Sequence, residues 1–195
     1  SFGLSQHQPP GGYPPVVFVT MELLEGETVA DRLARGGRFS ADAALPLVAQ
    51  MANALAAAHQ AGIIHRDFKS SNLMLLYARP GDPPRVVVTD FGIAYRADEA
   101  PAGSNAMPAT LEVIGTPDYM APEQLAGGTV AAATDIYALG VVMYEMVTGD
   151  RPFASDTPFT ATSRRVREAP PTPRQMVPEL PLACDMTIAR CLSVN

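Results

Sequence analysis

The longest apolar run in the chain covers residues 45 to 64 and contains no Lys, Arg, Asp or Glu. Apolar residues recur along it at the spacing of one face of an α-helix, at Ala44, Leu47, Met51, Leu55 and Ala58. Ser40 is a favourable N-cap and Gly62 a favourable C-terminal stop for this helix. Four polar residues interrupt the run, so we expect a buried core helix and not a membrane span.

Shorter patterns precede this helix. The β-branched and apolar run VVFVTM, residues 16 to 21, is typical of a buried strand. The first fifteen residues are rich in Pro, Gly and Gln and predict an irregular lead-in. Thr28 is a good N-cap for a short helix that ends at Gly36.

After the long helix, two apolar runs at residues 73–77 and 86–90 flank the turn-rich stretch ARPGDPPR, which predicts a β-hairpin. A second buried helix is expected from Thr134, as its cap, to Gly149, as its stop. The remaining patterns predict helices at residues 158–169 and 182–192, and a loop at residues 93–120.

Composition and charge narrow the class of protein. With 47% hydrophobic and 17% charged residues, the 195-residue chain is typical of one globular domain. A net charge of -6 provides no field for nucleic acid or an anionic membrane, so we expect neither partner. Cys184 and Cys191 would lie roughly 10 Å apart on a helix, beyond disulfide reach. Their reduced state suits a cytoplasmic location, and the basic cluster Arg164, Arg165 and Arg167 is expected to be a solvated helix face.

Lys69, the only lysine of the chain, lies in a dense polar block, HRDFKSSN at residues 65–72. Two further blocks follow, DFG at 90–92 and GTPDYMAPE at 115–123. In this order, with a hairpin between the first two, they resemble the catalytic loop, metal-binding loop and substrate-loop anchor of the protein kinase family. The lysine two residues after the loop aspartate is similar to the eukaryotic-like serine/threonine kinases of bacteria. The resemblance covers about residues 14–192 and implies an α+β, protein-kinase-like fold with a mainly helical large lobe.

This resemblance implies phosphoryl transfer from ATP to Ser or Thr hydroxyls of a protein substrate. Asp67 would accept the substrate's hydroxyl proton, and Lys69 would place a compact positive charge at the γ-phosphate. Asn72 and Asp90 would hold Mg²⁺ through oxygen atoms. Met21 would gate the back of an apolar adenine pocket, and Met74 would form its floor. The backbone of Glu22 and Leu24 would pair with the adenine edge. For the Met and Leu side chains, ordinary core packing is an equally good interpretation.

Other positions would be structural. The resemblance implies that His65 and Phe91 join an apolar spine between the two lobes, with Gly92 completing the DFG block. It implies that Asp135 is a buried carboxylate that accepts backbone hydrogen bonds from the catalytic loop. His65 is a poor candidate for a metal ligand, because no second ligand stands at metal-binding spacing.

The resemblance also implies a regulatory arrangement. Arg66 would clamp a phosphate on Thr110, with Ser104 as the competing site, and this charge would order the loop. Thr116 would bond to the catalytic aspartate and lysine at the end of the loop that selects Ser and Thr substrates.

The sequence also departs from the family pattern. Phe68 stands where Leu is usual, and Ser70 stands where Pro is usual, which should loosen the loop. The glycine-rich loop and the second lysine are not among these 195 residues. Residues 1–22 would then be a lead-in, the last small-lobe strand and the start of the hinge, and residues 23–195 a large lobe without its last helix. Glu123 would lack its arginine partner, and the chain alone is expected to be marginally stable and inactive.

Two other functions compete with a protein kinase. A kinase-derived lobe would act as a non-catalytic binding module, but it would not need the intact set Asp67, Lys69, Asn72 and Asp90. A small-molecule phosphotransferase of related fold would share the loop and the metal-binding aspartate, but it would not be expected to carry GTPDYMAPE.

Overall fold

A computed structural model describes residues 2–7, 16–79, 81–91, 117–154, 164 and 168–193. Strands β1 (Phe2–His7) and β2 (Val16–Met21) form an antiparallel pair whose register runs from Phe2 opposite Met21 to His7 opposite Val16. The strand predicted at residues 16–21 is confirmed. The irregular lead-in is wrong for residues 2–7, because hydrogen bonds to β2 impose an extended backbone that the weak local pattern does not signal.

The second sheet contains the strands that lie between the sequence blocks HRDFKSSN and DFG. It consists of β3 (Glu27–Thr28), β4 (Leu73–Leu76) and β5 (Arg85–Val88), antiparallel in the order β3-β4-β5. The predicted hairpin is confirmed as β4 and β5. Leu73 and Leu75 are fully buried, so one face of β4 packs into the core.

Two capped helices follow β3. Helix α1 (Val29–Gly36) begins at the predicted N-cap Thr28, whose hydroxyl accepts the Asp31 N–H at 3.0 Å. The helix ends at Gly36, as predicted, and the positive φ of 67° falls on the next residue, Gly37. The longer helix α2 (Ala41–Gln60) begins at Ser40, as predicted, and Gly62 adopts φ 74° two residues beyond its end.

Helix α2 buries one face only. Its length and composition would allow it to cross a membrane, and it is the one such helix in the described part of the chain. The predicted apolar face packs on the rest of the domain through Ala44, Leu47, Met51 and Leu55. Leu45, outside this face, is 63% exposed, so the predicted core helix is buried on one side only.

In the described part of the chain, four helices whose two ends are both described follow the sheet: α3 (Pro122–Leu125), α4 (Ala132–Thr148), α5 (Pro173–Met176) and α6 (Leu182–Cys191). The prediction for α6 is confirmed, and the predicted helix at 158–169 lies almost entirely outside the described residues. Gly149 ends α4 at φ 87°, as predicted. Thr134 is not its N-cap. Ala131 holds that position, and the Thr134 hydroxyl reaches back to accept the Ala131 N–H at 3.2 Å.

Helix α4 forms the centre of the core. From residue 134 to residue 147, all positions except Ile136 and Glu145 are buried, and the helix packs against both α2 and α6. Gly140 makes the close approach to α6 possible, because a Cβ there would stand 2.7 Å from the Cys191 Cβ. A helix that is buried on nearly all sides provides a rigid support for any loop that it contacts.

Candidate active site

The block HRDFKSSN forms an irregular loop that ends in a 3₁₀ turn, Ser70–Asn72, directly before β4. Arg66 adopts φ 68° in this loop, and Asp90 adopts φ 59° shortly after β5. Non-glycine residues rarely adopt the left-handed region, and such backbone strain persists only where surrounding contacts hold it. Two strained positions therefore lie within the sequence blocks that predicted the chemistry.

The side chain of Asp135, on helix α4, binds the start of the loop HRDFKSSN. Its carboxylate is 1% exposed and accepts three hydrogen bonds. Oδ2 accepts the His65 N–H at 2.8 Å and faces His59 Nε2 at 2.7 Å, and Oδ1 accepts the Arg66 N–H at 2.9 Å. The two backbone contacts are those that the resemblance predicts, and the contact with His59 is new. The buried helix α4 thus fixes the strained backbone at Arg66.

His65 ties the loop to the end of β5. Its Nε2 lies 2.9 Å from the Thr89 carbonyl oxygen, which can only accept, so Nε2 carries the proton. Its Nδ1 can then accept the Asp67 N–H at 3.3 Å. The ring contacts Phe91 at a centroid distance of 4.6 Å and Phe68 edge-on at 5.5 Å. Both nitrogens are occupied by hydrogen bonds, which agrees with the prediction that His65 is not a metal ligand.

Asp67, Lys69 and Asn72 converge as the sequence predicts. Lys69 Nζ lies 2.7 Å from Asp67 Oδ2, and Asn72 Nδ2 donates to the Asp67 carbonyl oxygen at 2.9 Å and to Oδ2 at 3.2 Å. Because both Asp67 oxygens can only accept, the amide orientation of Asn72 is determined. No donor among the described residues reaches Asn72 Oδ1. Asp67 itself remains open to a ligand, since its side chain is 44% exposed.

The hairpin brings Asp90 to the same end of the site. The Asn72 carbonyl oxygen accepts the Thr89 N–H at 2.9 Å, and Asp90 is the next residue. The Thr89 hydroxyl lies 3.2 Å from that carbonyl oxygen and 3.4 Å from Asp90 Oδ2. In the described part of the chain, no three His, Cys, Asp or Glu side chains cluster as a metal site. The donor set Asn72 Oδ1 and the exposed Asp90 carboxylate fits Mg²⁺, which commonly takes few protein oxygens and shares phosphate oxygens.

A buried polar network lies beside the loop. The Ser70 hydroxyl is 2.9 Å from the Tyr119 hydroxyl, which donates to Glu145 Oε2 at 2.7 Å. Burial and the negative charge of Glu145 raise the pKa of Tyr119 well above its ordinary value. The Ser70 side chain is buried and hydrogen-bonded, and the loosening expected from the loss of Pro stays a prediction.

The other predicted residues are less closely connected to this cluster. Met74 lies two residues after Asn72 on β4, half-buried. Met21 and Glu22 are exposed and Leu24 is half-buried at the end of β2 and beyond, so a shared adenine pocket stays a prediction. Gly92, Ser104, Thr110 and Thr116 lie outside the described residues.

Glu123 has a hydrogen-bond partner other than the arginine that the family pattern supplies. Its Oε1 accepts the Thr134 hydroxyl proton at 2.7 Å, which links α3 to the start of α4. This hydrogen bond satisfies one carboxylate oxygen without any arginine.

Sequence reasoning missed His59, Tyr119 and Glu145. His59 follows Leu55 by four positions, so it continues the buried stripe of α2, and a polar residue on such a stripe requires a partner. Glu145 is similarly a charged residue within the apolar sequence of α4. Tyr119 lies in GTPDYMAPE, and nothing in the local sequence signals its hydrogen bonds.

A sequence profile of the protein kinase domain matches residues 13–194. The chain therefore belongs to the protein kinase family, as the three sequence blocks predicted. The similar proteins described below are bacterial serine/threonine-protein kinases.

The serine/threonine-protein kinase PknA of Mycobacterium tuberculosis is 41% identical over 164 residues, which cover 84% of this chain and 35% of that protein. PknB of Mycobacterium leprae is 37% identical over 181 residues, 93% of this chain and 28% of that protein. PknA of Corynebacterium glutamicum is 42% identical over 154 residues, 79% of this chain and 31% of that protein. The chain thus spans about a third of the length of these relatives.

Proposed function

We propose that this chain carries the catalytic loop of a serine/threonine protein kinase that transfers the γ-phosphate of ATP to Ser or Thr hydroxyls of a protein substrate. The observation that carries the proposal is the convergence of the Lys69 ammonium and the Asn72 amide on Asp67 Oδ2, at 2.7 Å and 3.2 Å. Phosphoryl transfer depends chiefly on positioning and on neutralising charge, and these three groups are suited to both. Use of ATP implies that this part of the protein functions in the cytoplasm.

Asp67 is the group that would receive the proton of the acceptor hydroxyl. Its carboxylate is partly exposed, and Asn72 and Lys69 fix its orientation from one side. Lys69 is only 18% exposed and extends from the same loop, so its charge lies where the γ-phosphate would meet the acceptor. The chain would therefore orient the hydroxyl and neutralise the phosphate with two neighbouring side chains.

Mg²⁺ would be held by Asn72 Oδ1 and the Asp90 carboxylate, with ATP phosphates supplying further oxygens. When bound, it supplies neutralisation of the charge on those phosphates. The role of the chain is to orient the two donors. Asn72 is oriented by its two bonds to Asp67, and Asp90 by the left-handed backbone that follows β5.

The test is a phosphotransfer assay on the complete translation product of the gene that encodes this chain, with radiolabelled Mg·ATP and casein. Asp67→Asn should lower the rate by at least about 100-fold. Asp82→Asn is the matched control, since Asp82 is an exposed carboxylate in the hairpin turn. Absence of transfer by the unsubstituted product, or equal rates for the two variants, would contradict the proposal and favour a binding module.

Two finer proposals accompany this function. The 195-residue chain alone should show no substantial transfer, because its single lysine lies in the catalytic loop and no second one is present to pair with the α- and β-phosphates.

Phosphorylation of Thr110 should activate the complete product through Arg66. Mass spectrometry that finds Thr110 unmodified in the active protein, or an unchanged rate for Thr110→Ala, would exclude this regulation.

A further inference from the structure

Ser70 occupies an unusual place for a small polar residue. It lies in the 3₁₀ turn between Lys69 and Asn72, and it is only 2% exposed. A buried hydroxyl is costly unless it is hydrogen-bonded, and the Ser70 hydroxyl lies 2.9 Å from that of Tyr119. The neighbouring Ser71 is exposed. The hydrogen bond of Ser70 is therefore a buried structural interaction of the loop and not a surface contact.

The direction of the hydrogen bonds follows from the chemistry of the three groups. The ionised Glu145 carboxylate can only accept, so Tyr119 donates its one hydroxyl proton to Oε2. The Tyr119 oxygen is then an acceptor, and Ser70 must be the donor. The result is a directed chain from Ser70 through Tyr119 to Glu145, in which the terminal negative charge strengthens both bonds.

This chain joins three parts of the molecule. Ser70 belongs to the catalytic loop, Tyr119 belongs to the segment GTPDYMAPE, and Glu145 belongs to the buried helix α4. A second link runs in parallel, because Gln124 Nε2 donates to the Arg66 carbonyl oxygen at 3.2 Å. The two links lie on either side of Asp67 in sequence, so together they hold the loop against the segment that follows the DFG block.

We propose that Ser70 is a positioning residue for the acceptor side of the reaction: by donating its hydroxyl proton to Tyr119, it sets Asp67 and Lys69 relative to the Tyr119 segment. The proposal rests on the proposed kinase function and adds a residue to which the family resemblance assigns no catalytic role. Proline, which is usual at this position in the family, has no hydroxyl to donate. The serine therefore replaces the stiffness of a ring with a directed hydrogen bond.

The test is a kinetic double-mutant cycle in the complete translation product, with Ser70→Ala, Tyr119→Phe and both together. Each single variant should lower kcat on casein by about 3- to 10-fold and leave the KM for ATP unchanged, because the hydrogen bond orients the acceptor side only. The double variant should be no slower than the slower single variant, since both substitutions remove the same bond. Ser71→Ala is the matched control and should retain the full rate.

Several results would overturn the proposal. One is a kcat for Ser70→Ala within about 1.5-fold of the Ser71→Ala control, and another is a double variant whose loss equals the product of the two single losses. A rise in the KM for ATP that accounts for the whole loss of kcat/KM would show general damage to the site. This result also contradicts a positioning role for Ser70.

Hydrogen–deuterium exchange separates failure of this proposal from failure of the proposed function. Ser70→Ala should increase exchange together in peptides that cover residues 66–73 and 117–124, whether or not the protein transfers phosphate. If the unsubstituted product shows no transfer that depends on Asp67, the kinase function is wrong, and with it the role of Ser70 in the reaction. If transfer is present but exchange changes only at residues 66–73, the link to the Tyr119 segment is wrong.

Discussion

Replacement of Asp135 by asparagine tests the main support of the catalytic loop. The substitution preserves shape but removes the charge and one acceptor oxygen. Asp135 now accepts from the backbone N–H groups of His65 and Arg66 and contacts His59 Nε2. An asparagine oxygen in the place of Oδ2 would retain the contacts with the two histidines, and its NH₂ group would then face the Arg66 N–H. The opposite orientation would leave two donors without an acceptor.

The better orientation thus loses one buried hydrogen bond to a charged group and leaves one buried N–H unpaired. A bond to a charged group contributes about 1.5–3 kcal/mol, and an unsatisfied buried donor costs about 1–3 kcal/mol. We therefore expect Asp135→Asn to lower the free energy of unfolding by about 2.5–6 kcal/mol. The strained backbone of Arg66, at φ 68°, would also lose the contact that holds it, so the effect should include the activity of the loop.

Urea unfolding followed by circular dichroism measures this effect. With a slope of about 2 kcal/mol per molar urea, the transition midpoint should fall by about 1 M or more. Asp150→Asn is the matched control, because Asp150 is an exposed carboxylate that directly follows the end of α4. Midpoints for the two variants within about 0.2 M of each other would refute the reasoning, since they would show that the buried carboxylate stabilises no more than an exposed one.

Two further predictions concern stability. Burial raises the pKa of Tyr119 in the folded protein. Its contribution to stability is fully present below the tyrosine pKa of about 10 in the unfolded chain, and it is lost as the pH rises through the higher pKa of the folded state. Between about pH 9 and about pH 11, the urea midpoint should therefore fall less in Tyr119→Phe, which lacks this group, than in Tyr77→Phe, which retains it. An equal fall of the midpoint in both variants would contradict burial of the Tyr119 phenol. Gly26→Ala would place a Cβ 2.3 Å from the Leu75 carbonyl oxygen and should cost about 1–3 kcal/mol by thermal unfolding. Gly36→Ala meets only the flexible end of an arginine and should be nearly neutral, and equal melting temperatures would exclude the close contact.

Local patterns were sufficient for much of the site. Asp67, Lys69 and Asn72 lie within six residues of one another, so one short loop brings them together wherever it lies in the fold. The caps Thr28 and Ser40 could also be predicted, because a cap satisfies donors three residues away in the same chain. The hairpin that brings Asp90 next to Asn72 followed from two apolar runs and the turn between them.

Local sequence patterns did not predict the interactions that a residue makes with an element distant in the sequence. The strand at residues 2–7 exists through its pairing with β2, and its own residues do not show the alternation that identifies a strand. Glu123 found a partner in Thr134 that no motif indicates. In each case the deciding interaction is a hydrogen bond formed with another element.

The sequence by itself predicted which residues would carry the chemistry, and it determined which faces of the helices are apolar. Only the tertiary structure decided that His59 contacts Asp135 across 76 positions, and that Ser70 meets Tyr119 across 49. The physical reason is that hydrophobic periodicity specifies which face of an element is buried, because burial depends on summed apolar area. A buried polar group is satisfied by one atom at hydrogen-bond distance, and the identity of that atom depends on how the elements pack.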